Sequence, residues 1–409
     1  MFSQYRGLRK EIYVLCFGRI VTNLGAMVWP MLTMILNQKM GMGAGTISLV
    51  MALVSGIMLP VNVLGGRLAD HYNKKNVIVI CDLISIISYL ICAFLPLSYA
   101  SLGMILIAAL CQTMEWPSYN ALIADITRTA DRERAYSLMY LGGNLGLILS
   151  PTIAGMLFAH YLWLCFLISG ISIACSTVLI FLMVRDIRVE KEDSETAIYQ
   201  AGRETDSLRQ ILFERPILLL FVLIYGLYSG IYQQANVLMP LELGRIHGEA
   251  GALIYGSVFS VNCIIVVIFT PLITRWFHRF TEPQKMLAGD GLILIGFAVF
   301  LVFLGHIPPY YVSMTIFTWG EIFMMLADSP YTSARIPASH RGRINGLNAV
   351  AQAILTAGCQ LLIGQLYERH SPFMAWVSVY AIGAVLIALT ILLGIRDKKV
   401  FPKLYEGNR

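Results

Sequence analysis

Charged residues are scarce in this sequence. Asp, Glu, Lys and Arg together make up 13 % of its 409 residues, whereas hydrophobic residues make up 57 %. A water-soluble domain carries roughly a quarter charged residues, so this composition excludes an ordinary soluble protein. We therefore predict a chain that is embedded in a lipid bilayer.

The sequence also lacks the patterns that mark metal sites, disulfide frameworks and nucleotide hydrolysis. Its eight cysteines lie singly within apolar runs, without a C-x-x-C pair or a histidine cluster. No P-loop, G-x-S-x-G or H-E-x-x-H pattern stands out. The net charge of +6 is concentrated in short loops, which indicates membrane topology and not nucleic-acid binding. We expect no metal, no cofactor and no enzymatic activity.

Long apolar runs fill most of the chain. A helix needs about 20 apolar residues to cross the hydrocarbon core of a bilayer, and twelve runs reach that length. The predicted spans are 11–36, 44–68, 75–98, 101–124, 136–159, 161–184, 216–240, 250–274, 285–304, 308–333, 345–368 and 373–395. The fold class that follows is an all-α membrane protein with twelve transmembrane helices in two pseudo-symmetric six-helix bundles.

A hydrophilic stretch divides these spans into two halves. We predict an N-terminal bundle at 1–185, a central loop at 186–215, a C-terminal bundle at 216–396 and a tail at 397–409. Nearly all of the 30 Lys and Arg residues fall in the two tails and in alternate loops. Because positively charged loops stay on the cytoplasmic side, we expect a cell-membrane protein with both termini in the cytoplasm.

The two halves also share several spacings. Four pairs of residues fall at corresponding places in the two sets of six spans: Arg134 and Arg343, Gly155 and Gly364, Pro117 and Pro330, and Asp82 and Asp290. Together these pairs predict internal duplication of a six-helix unit. Parallel repeats with a substrate site at their interface are a known plan of membrane transporters.

A charged turn joins the second and third spans. Residues Gly65 to Lys75 read GGRLADHYNKK, and their spacing G-x-L-A-D-x-x-x-K-K resembles the loop 2–3 signature of the major facilitator superfamily, with Asn73 in place of a glycine. The alternative is an ordinary basic loop. The resemblance implies that this turn is part of a gate, in which salt bridges at helix ends close the cytoplasmic side. The implied gating residues are Gly66, Asp70, Lys74, Lys75, Asp125, Arg134, Asp328 and Arg343.

A second signature lies in span 5. Its small residues and one proline favour close helix packing and a bend, at Gly142, Gly146, Pro151 and Gly155. This pattern resembles the antiporter motif of the drug/proton antiporter branch, with Ser150 and Ala154 replacing two glycines. A generic glycine-rich membrane helix is the alternative.

Two glutamates lie deep within apolar runs, Glu115 in span 4 and Glu321 in span 10. A charged carboxylate at such depth costs at least ~2.5 kcal/mol, so it faces a cavity, pairs, or takes up a proton. Span 10 is similar to the Gly-Glu element of LmrP-like multidrug/proton antiporters, which implies a proton-coupling role for Glu321. The alternative for both is a glutamate that hydrogen-bonds to neighbouring helices.

Further polar and aromatic side chains are candidates for a substrate pocket. Arg19 and Asn23 share one face of span 1, and Arg19 either pairs with Glu115, binds an anionic substrate group, or extends toward the cytoplasmic interface. The aromatic and amide candidates are Trp29, Trp116, Tyr228, Tyr232, Gln233, Asn236 and Trp319. Those on span 7 form an aromatic stripe, for which helix packing is the alternative explanation. Aromatic faces near carboxylates suit lipophilic or cationic compounds.

The combined interpretation is a monomeric secondary transporter that exports lipophilic or cationic small molecules by alternating access, driven by proton entry. On the same fold, a lipid or glycolipid flippase and a proton-coupled uptake symporter remain open. A non-transporting membrane receptor or assembly factor is the alternative from another class. It predicts no proton-linked flux and no effect of mutating Glu321.

Overall fold

The computed structural model describes residues 7–127, 131–184, 216–277, 279–335 and 338–406. Within these ranges the regular structure is entirely helical. The bounds of the helices agree with the apolar runs. Lipid offers no hydrogen-bond partners, so a run that crosses it forms a helix in which every backbone N–H and C=O is satisfied within the segment.

Twelve helical spans follow one another in the described residues. The first half contains span 1 (Lys10–Leu24, Val28–Met34 and a π-helical turn at Ile35–Lys39), span 2 (Ala44–His71), span 3 (Lys74–Phe94), span 4 (Tyr99–Ile126), span 5 (Arg132–Leu147 and Ser150–Leu157) and span 6 (Leu162–Met183). The second half contains span 7 (Pro216–Tyr232 and Gln234–His247), span 8 (Ala250–Trp276), span 9 (Glu282–Val302), span 10 (Ile307–Arg335), span 11 (Ala338–Arg369) and span 12 (Pro372–Val400). A short helix, Lys403–Glu406, follows.

Ten of these segments are long and apolar enough to cross a membrane by length and composition. Span 4 and span 10 do not reach that apolarity, although they have 28 and 29 residues. Both carry a glutamate and a proline within their apolar length, which lowers their mean hydropathy. The two least apolar spans are therefore those that carry Glu115 and Glu321.

Spans 1, 5 and 7 are each interrupted near the middle. In span 5 the break falls just before Pro151, which has no N–H to donate to the preceding turn and whose ring crowds that turn's carbonyl groups. In span 1 the first helix ends at Gly25, where Ser169 of span 6 donates its hydroxyl to the Gly25 carbonyl oxygen. A side chain at Gly25 would overlap Ser172, so the close approach of spans 1 and 6 requires glycine there.

The described residues group into two compact units. The first falls within Met1–Met42, Ile57–Asp193 and Pro240–Val267, and the second within Gly43–Gly56, Ser194–Met239 and Ile268–Arg409. The second unit thus includes the start of span 2, and the first unit includes the end of span 7 and span 8 from its start to Val267. The predicted central loop 186–215 lies outside the described residues, and the predicted division of the chain there stays a prediction.

The repeat-related glycines explain how each unit accepts these span starts. In the first unit, Gly155 of span 5 lies so close to span 8 that a Cβ would be 2.6 Å from the Ala252 carbonyl oxygen. In the second unit, Gly364 of span 11 lies against Ser48 at the start of span 2. The glycines that match in sequence therefore have matching packing roles.

The second unit contains a buried ion-pair cluster. The guanidinium of Arg335 is fully buried and donates from Nε and Nη2 to Asp397 at 2.8 and 2.6 Å. Its Nη2 also reaches Glu282 at 3.2 Å, and the Tyr405 hydroxyl donates to the same Asp397. Span 9, span 10, span 12 and the last helix are thus joined through one arginine. All of these partners lie in the second unit.

Adjacent glycines in span 2 provide a direct test of this packing. A Cβ on Gly65 would overlap the carbonyl oxygen of Met114 in span 4, whereas a Cβ on Gly66 would meet no atom within 4 Å. We expect Gly65→Ala to destabilise the protein by about 1–3 kcal/mol through overpacking. Gly66→Ala, the matched control, is expected to be neutral or slightly stabilising, because alanine is the better helix former. Thermal unfolding in detergent measures both, and equal melting temperatures for the two variants would contradict the packing argument.

Candidate functional site

Two carboxyl groups meet inside the first unit. Asp82 of span 3 and Glu115 of span 4 have 6 % and 7 % of their surface exposed, and their carboxyl groups lie within hydrogen-bonding reach of each other. Thr177 of span 6 donates its hydroxyl to Asp82 Oδ2 at 2.7 Å. No N–H or O–H group of a described residue donates to Glu115 Oε2. One oxygen of the pair is therefore buried without a donor.

Small residues bring the two carboxyl groups together. Ser85 of span 3 donates to the Ala108 carbonyl oxygen of span 4 at 3.3 Å, which fixes the two helices at close range. Asp82 lies one turn before Ser85, and Glu115 lies two turns after Ala108 on the same face of its helix. Both acids consequently point into the contact between spans 3 and 4.

Arg19 of span 1 lies beside this pair. Its guanidinium carbon is 4.7 Å from the ring centroid of Trp116, a cation–π contact, and its charge acts on both Asp82 and Glu115. Within the described part of the chain, the structure shows no ion pair between Arg19 and Glu115. Arg19 thus supplies a positive charge near the two acids. Its N–H groups are not engaged by a carboxylate of a described residue.

A cavity of about 330 Å³ adjoins these groups within the first unit. Five of the residues that the sequence analysis proposed lie on its wall: Arg19, Asn23, Trp29, Glu115 and Trp116. Asn23 also donates to the Gly143 carbonyl oxygen of span 5 at 2.9 Å, which holds spans 1 and 5 together at this depth. Six further polar lining residues were not proposed from the sequence: Thr22, Asn62, Tyr89, Gln112, Thr113 and Ser169. The volume is at the lower end of the range for small-molecule sites.

The second unit contains Glu321 beside an aromatic face. The Tyr232 hydroxyl donates to Glu321 Oε1 at 3.1 Å. Tyr225, Tyr228 and Tyr232 follow one another along span 7 with ring centroids 5.7 and 6.0 Å apart, and Phe317 of span 10 stacks on Tyr232 at 5.3 Å. The aromatic stripe predicted for span 7 is therefore continuous and reaches the glutamate.

The other proposed pocket residues of this unit lie near that face or pair with each other. Asn236 donates to Gln233 Oε1 at 3.1 Å. Trp319 packs against Phe269 with ring centroids 5.6 Å apart, and its indole N–H is buried without an acceptor among the described residues. Trp319 lies two residues before Glu321 and therefore on a different face of span 10, so its indole N–H is not a donor at the Glu321 carboxylate.

The two units repeat one hydrogen bond. Thr390 of span 12 donates to Asp290 Oδ2 of span 9 at 2.7 Å, which matches the Thr177–Asp82 bond of spans 6 and 3. The sequence analysis matched the two aspartates and missed the two threonines. The sequence signal that could have revealed these threonines is that they occupy corresponding positions in the last span of each half. The units differ in that Asp82 has a second carboxyl group beside it.

The predicted gating residues separate into several local arrangements. Lys74 forms an ion pair with Asp125 at 2.8 Å, and Lys75 donates to the carbonyl oxygens of Phe181 and Val184 at the end of span 6. Asp70 is exposed, and a Cβ added at Gly66 would meet no atom of a described residue within 4 Å. These contacts of the turn lie inside the first unit.

The remaining predicted gating residues are Arg134, Asp328 and Arg343. Arg134 pairs with Asp131 at 2.8 Å within its own helix. Asp328 of span 10 is half-buried and accepts a hydrogen bond from the Tyr225 hydroxyl. The side chain of Arg343 lies outside the described residues. Where the chain is described, no group of three His, Cys, Asp or Glu residues is arranged to hold a metal ion.

Comparison with known proteins identifies the family. The family model of the Major Facilitator Superfamily matches residues 15–358. The chain belongs to the major facilitator superfamily. This is a family of membrane transporters and not of enzymes, so the protein is a multi-pass membrane protein that handles small molecules.

Two curated relatives of this superfamily protein match most of its length. One, from Planococcus maritimus, is named a Na(+), Li(+), K(+)/H(+) antiporter and is 23 % identical over 86 % of each chain. The other, from Photorhabdus laumondii subsp. laumondii, is named multidrug resistance protein MdtH and is 21 % identical over the full length of both chains.

Solved structures share the fold of this superfamily protein. The peptide transporter POT in complex with sulfate has a TM-score of 0.77 and 16 % identity, with 97 % of this chain and 96 % of that chain covered. The nucleoside transporter NupG has a TM-score of 0.73 and 15 % identity, with 95 % and 100 % covered. At this identity the likeness concerns the fold alone.

The Thr177–Asp82 bond gives a testable prediction. Thr177→Val removes the hydroxyl donor and leaves Asp82 Oδ2 buried without that hydrogen bond. We expect this change to lower the free energy of unfolding by about 1–3 kcal/mol. Thr177→Ser keeps the hydroxyl and serves as the matched control, with a loss of less than half that of the valine variant. The measurement is thermal unfolding of both variants in detergent. A valine variant as stable as the parent would show that the hydrogen bond does not support Asp82.

Proposed function

We propose that this protein is a proton-coupled antiporter that exports lipophilic or cationic small molecules. It would work as a monomer in the cell membrane, with both termini in the cytoplasm and with two six-helix bundles that open alternately to each side. This assigns the chain to the drug/proton antiporter branch of its superfamily. Its partners are the small-molecule substrate, protons and the surrounding lipid.

The observation that carries the proposal is Glu321 at the end of the aromatic face of span 7. A carboxylate within an apolar span is costly while it is charged, and either a proton or a bound cation removes that cost. The partly exposed ring of Tyr232 offers apolar area and cation–π contact to the same ligand, and the buried rings of Tyr228 and Phe317 pack against it. A proton and a lipophilic cation therefore compete for one site, which is the physical basis of antiport.

The names of the curated relatives support this direction. One relative is named an antiporter that exchanges alkali cations for protons, and another is named a multidrug resistance protein. The first name is consistent with cation movement coupled to protons, and the second concerns resistance to several drugs. Neither fixes the substrate of this chain, for which the chemistry around Glu321 favours an organic cation.

A second candidate function is proton-coupled uptake of an anionic solute. The observation that favours it is Arg19, whose guanidinium lies on the wall of the first unit's cavity and forms no ion pair with a described carboxylate. An arginine in this situation suits a carboxylate or phosphate group. Binding of an anion would then favour proton uptake by the neighbouring acids. The anion and the proton would therefore cross the membrane in the same direction.

Transport in proteoliposomes tests the proposal. With an imposed pH gradient, we expect the parent protein to move a fluorescent lipophilic cation against the proton flow, and Glu321→Gln to reduce that movement at least tenfold. Glu11→Gln, at the start of span 1, makes the same chemical change away from the aromatic face and should transport like the parent.

Two outcomes would count against the antiport proposal. Undiminished gradient-driven movement by the Glu321→Gln variant would remove Glu321 from coupling. Accumulation of a radiolabelled aromatic carboxylate together with protons, in the absence of any cation movement, would favour the uptake symporter instead.

A further inference from the structure

The first unit holds a cluster of ionisable groups whose charges do not balance. The groups that act on Glu115 from its own helix and from spans 1 and 3 are Asp82, Arg19, Cys81, Cys111 and Tyr119, and Cys16 of span 1 lies near Tyr119. Thiols and phenols are neutral at physiological pH, so the charges that count are those of two carboxylates and one guanidinium. If both acids are ionised, the cluster carries one net negative charge.

A net charge at this depth is unfavourable, since neither hydrocarbon nor packed protein solvates it well. One added positive charge makes the cluster neutral. One place where that charge can be added is Glu115 Oε2, which is buried and receives no hydrogen bond from any described residue. Asp82, in contrast, already accepts the Thr177 hydroxyl.

We propose that Asp82 and Glu115, with Arg19 as their fixed counter-charge, form an exchange site that binds one proton or one organic monovalent cation, but not both. This inference rests on the proposed exchange of a proton for a cation and adds a site in the first unit that is separate from Glu321. In the proton-loaded state the two carboxyl groups share the proton in a hydrogen bond. When a cation arrives, the O–H bond breaks and the proton leaves to water in the adjoining cavity.

The cavity beside the two carboxyl groups suits a small organic cation. Glu115 lies on its wall together with three aromatic side chains, Trp29, Trp116 and Tyr89. Aromatic faces next to a carboxylate are the surroundings that favour alkylammonium groups. A volume of about 330 Å³ limits the ligand to a small molecule. The exchange of one charge for one charge gives a stoichiometry of one proton for each cation.

The test measures proton release from the purified protein in detergent. Benzyltrimethylammonium is the probe, its binding is followed by calorimetry, and released protons are followed with an indicator dye in weak buffer. We expect up to one proton released at the pair for each cation bound. Where the pair is protonated, the apparent Kd should fall up to about tenfold for each unit of rising pH. N-benzylacetamide, an uncharged compound of similar size, should release none.

Variants assign the proton to the pair. Glu115→Gln and Asp82→Asn each leave a single acid opposite Arg19, so the cluster is neutral without a proton, and release from it should be lost. Asp290→Asn is the matched control, because Asp290 has the same threonine bond and also a buried oxygen without a donor, but no carboxyl group of a described residue is hydrogen-bonded to it. Release by this variant should equal that of the parent.

The Glu321→Gln variant separates this inference from the proposed function. With Glu321 neutralised, proton release at the pair should persist, and the infrared band of a protonated carboxyl group should still disappear on probe binding. This measurement does not require the cluster variants to fold. Release that is lost in Glu321→Gln but kept in both Glu115→Gln and Asp82→Asn would overturn the exchange site while leaving antiport at Glu321 intact.

Two further results would also overturn the inference. The first is failure of benzyltrimethylammonium to bind to the parent protein. The second is proton release by sodium or potassium chloride at concentrations where the organic cation releases none, which would assign the site to alkali ions.

Discussion

The cost of an uncompensated charge in an apolar interior governs the arrangement of this protein. A buried carboxylate or guanidinium is tolerated only when donors, acceptors or opposite charges surround it. The second unit meets this requirement fully at Arg335, where Asp397 and Glu282 both accept from one guanidinium. The first unit meets it only in part, because Glu115 has a buried oxygen without a donor. That difference separates a structural cluster from a candidate exchange site.

Close helix packing makes these charge arrangements possible. Glycines at contacts such as Gly65 against span 4 and Gly155 against span 8 bring backbones together, so that side chains on adjoining turns meet at hydrogen-bond distance. The repeat then reuses the same contacts. Each unit joins its third and sixth helices through an aspartate and a threonine, yet only Asp82 has a glutamate beside it. The two units therefore share this contact and differ in the side chains around it.

The aromatic face of span 7 and the cavity of the first unit suggest complementary roles in binding. Tyr232 holds Glu321 at one end of a continuous apolar surface, whereas the cavity combines Arg19, Glu115 and Trp116 in a polar wall. A lipophilic ligand gains most from the former and a charged group from the latter. The charge of the ligand, and not its shape alone, is expected to decide whether it is accepted.

The class of the protein, its twelve spans and their approximate bounds follow from the order of the amino acids, because the hydrocarbon thickness fixes the length of each apolar run. Glu115, Glu321, Arg19 and the paired aspartates are also recognisable there, since ionisable residues in apolar runs stand out individually. Their partners become known from the three-dimensional packing of the helices. That Glu115 lies against Asp82, and that Arg19 lies over Trp116, depends on the rotation of each helix about its axis and on the closeness of neighbouring backbones. Those quantities are set by contacts between residues far apart in the chain, which a single sequence does not encode locally.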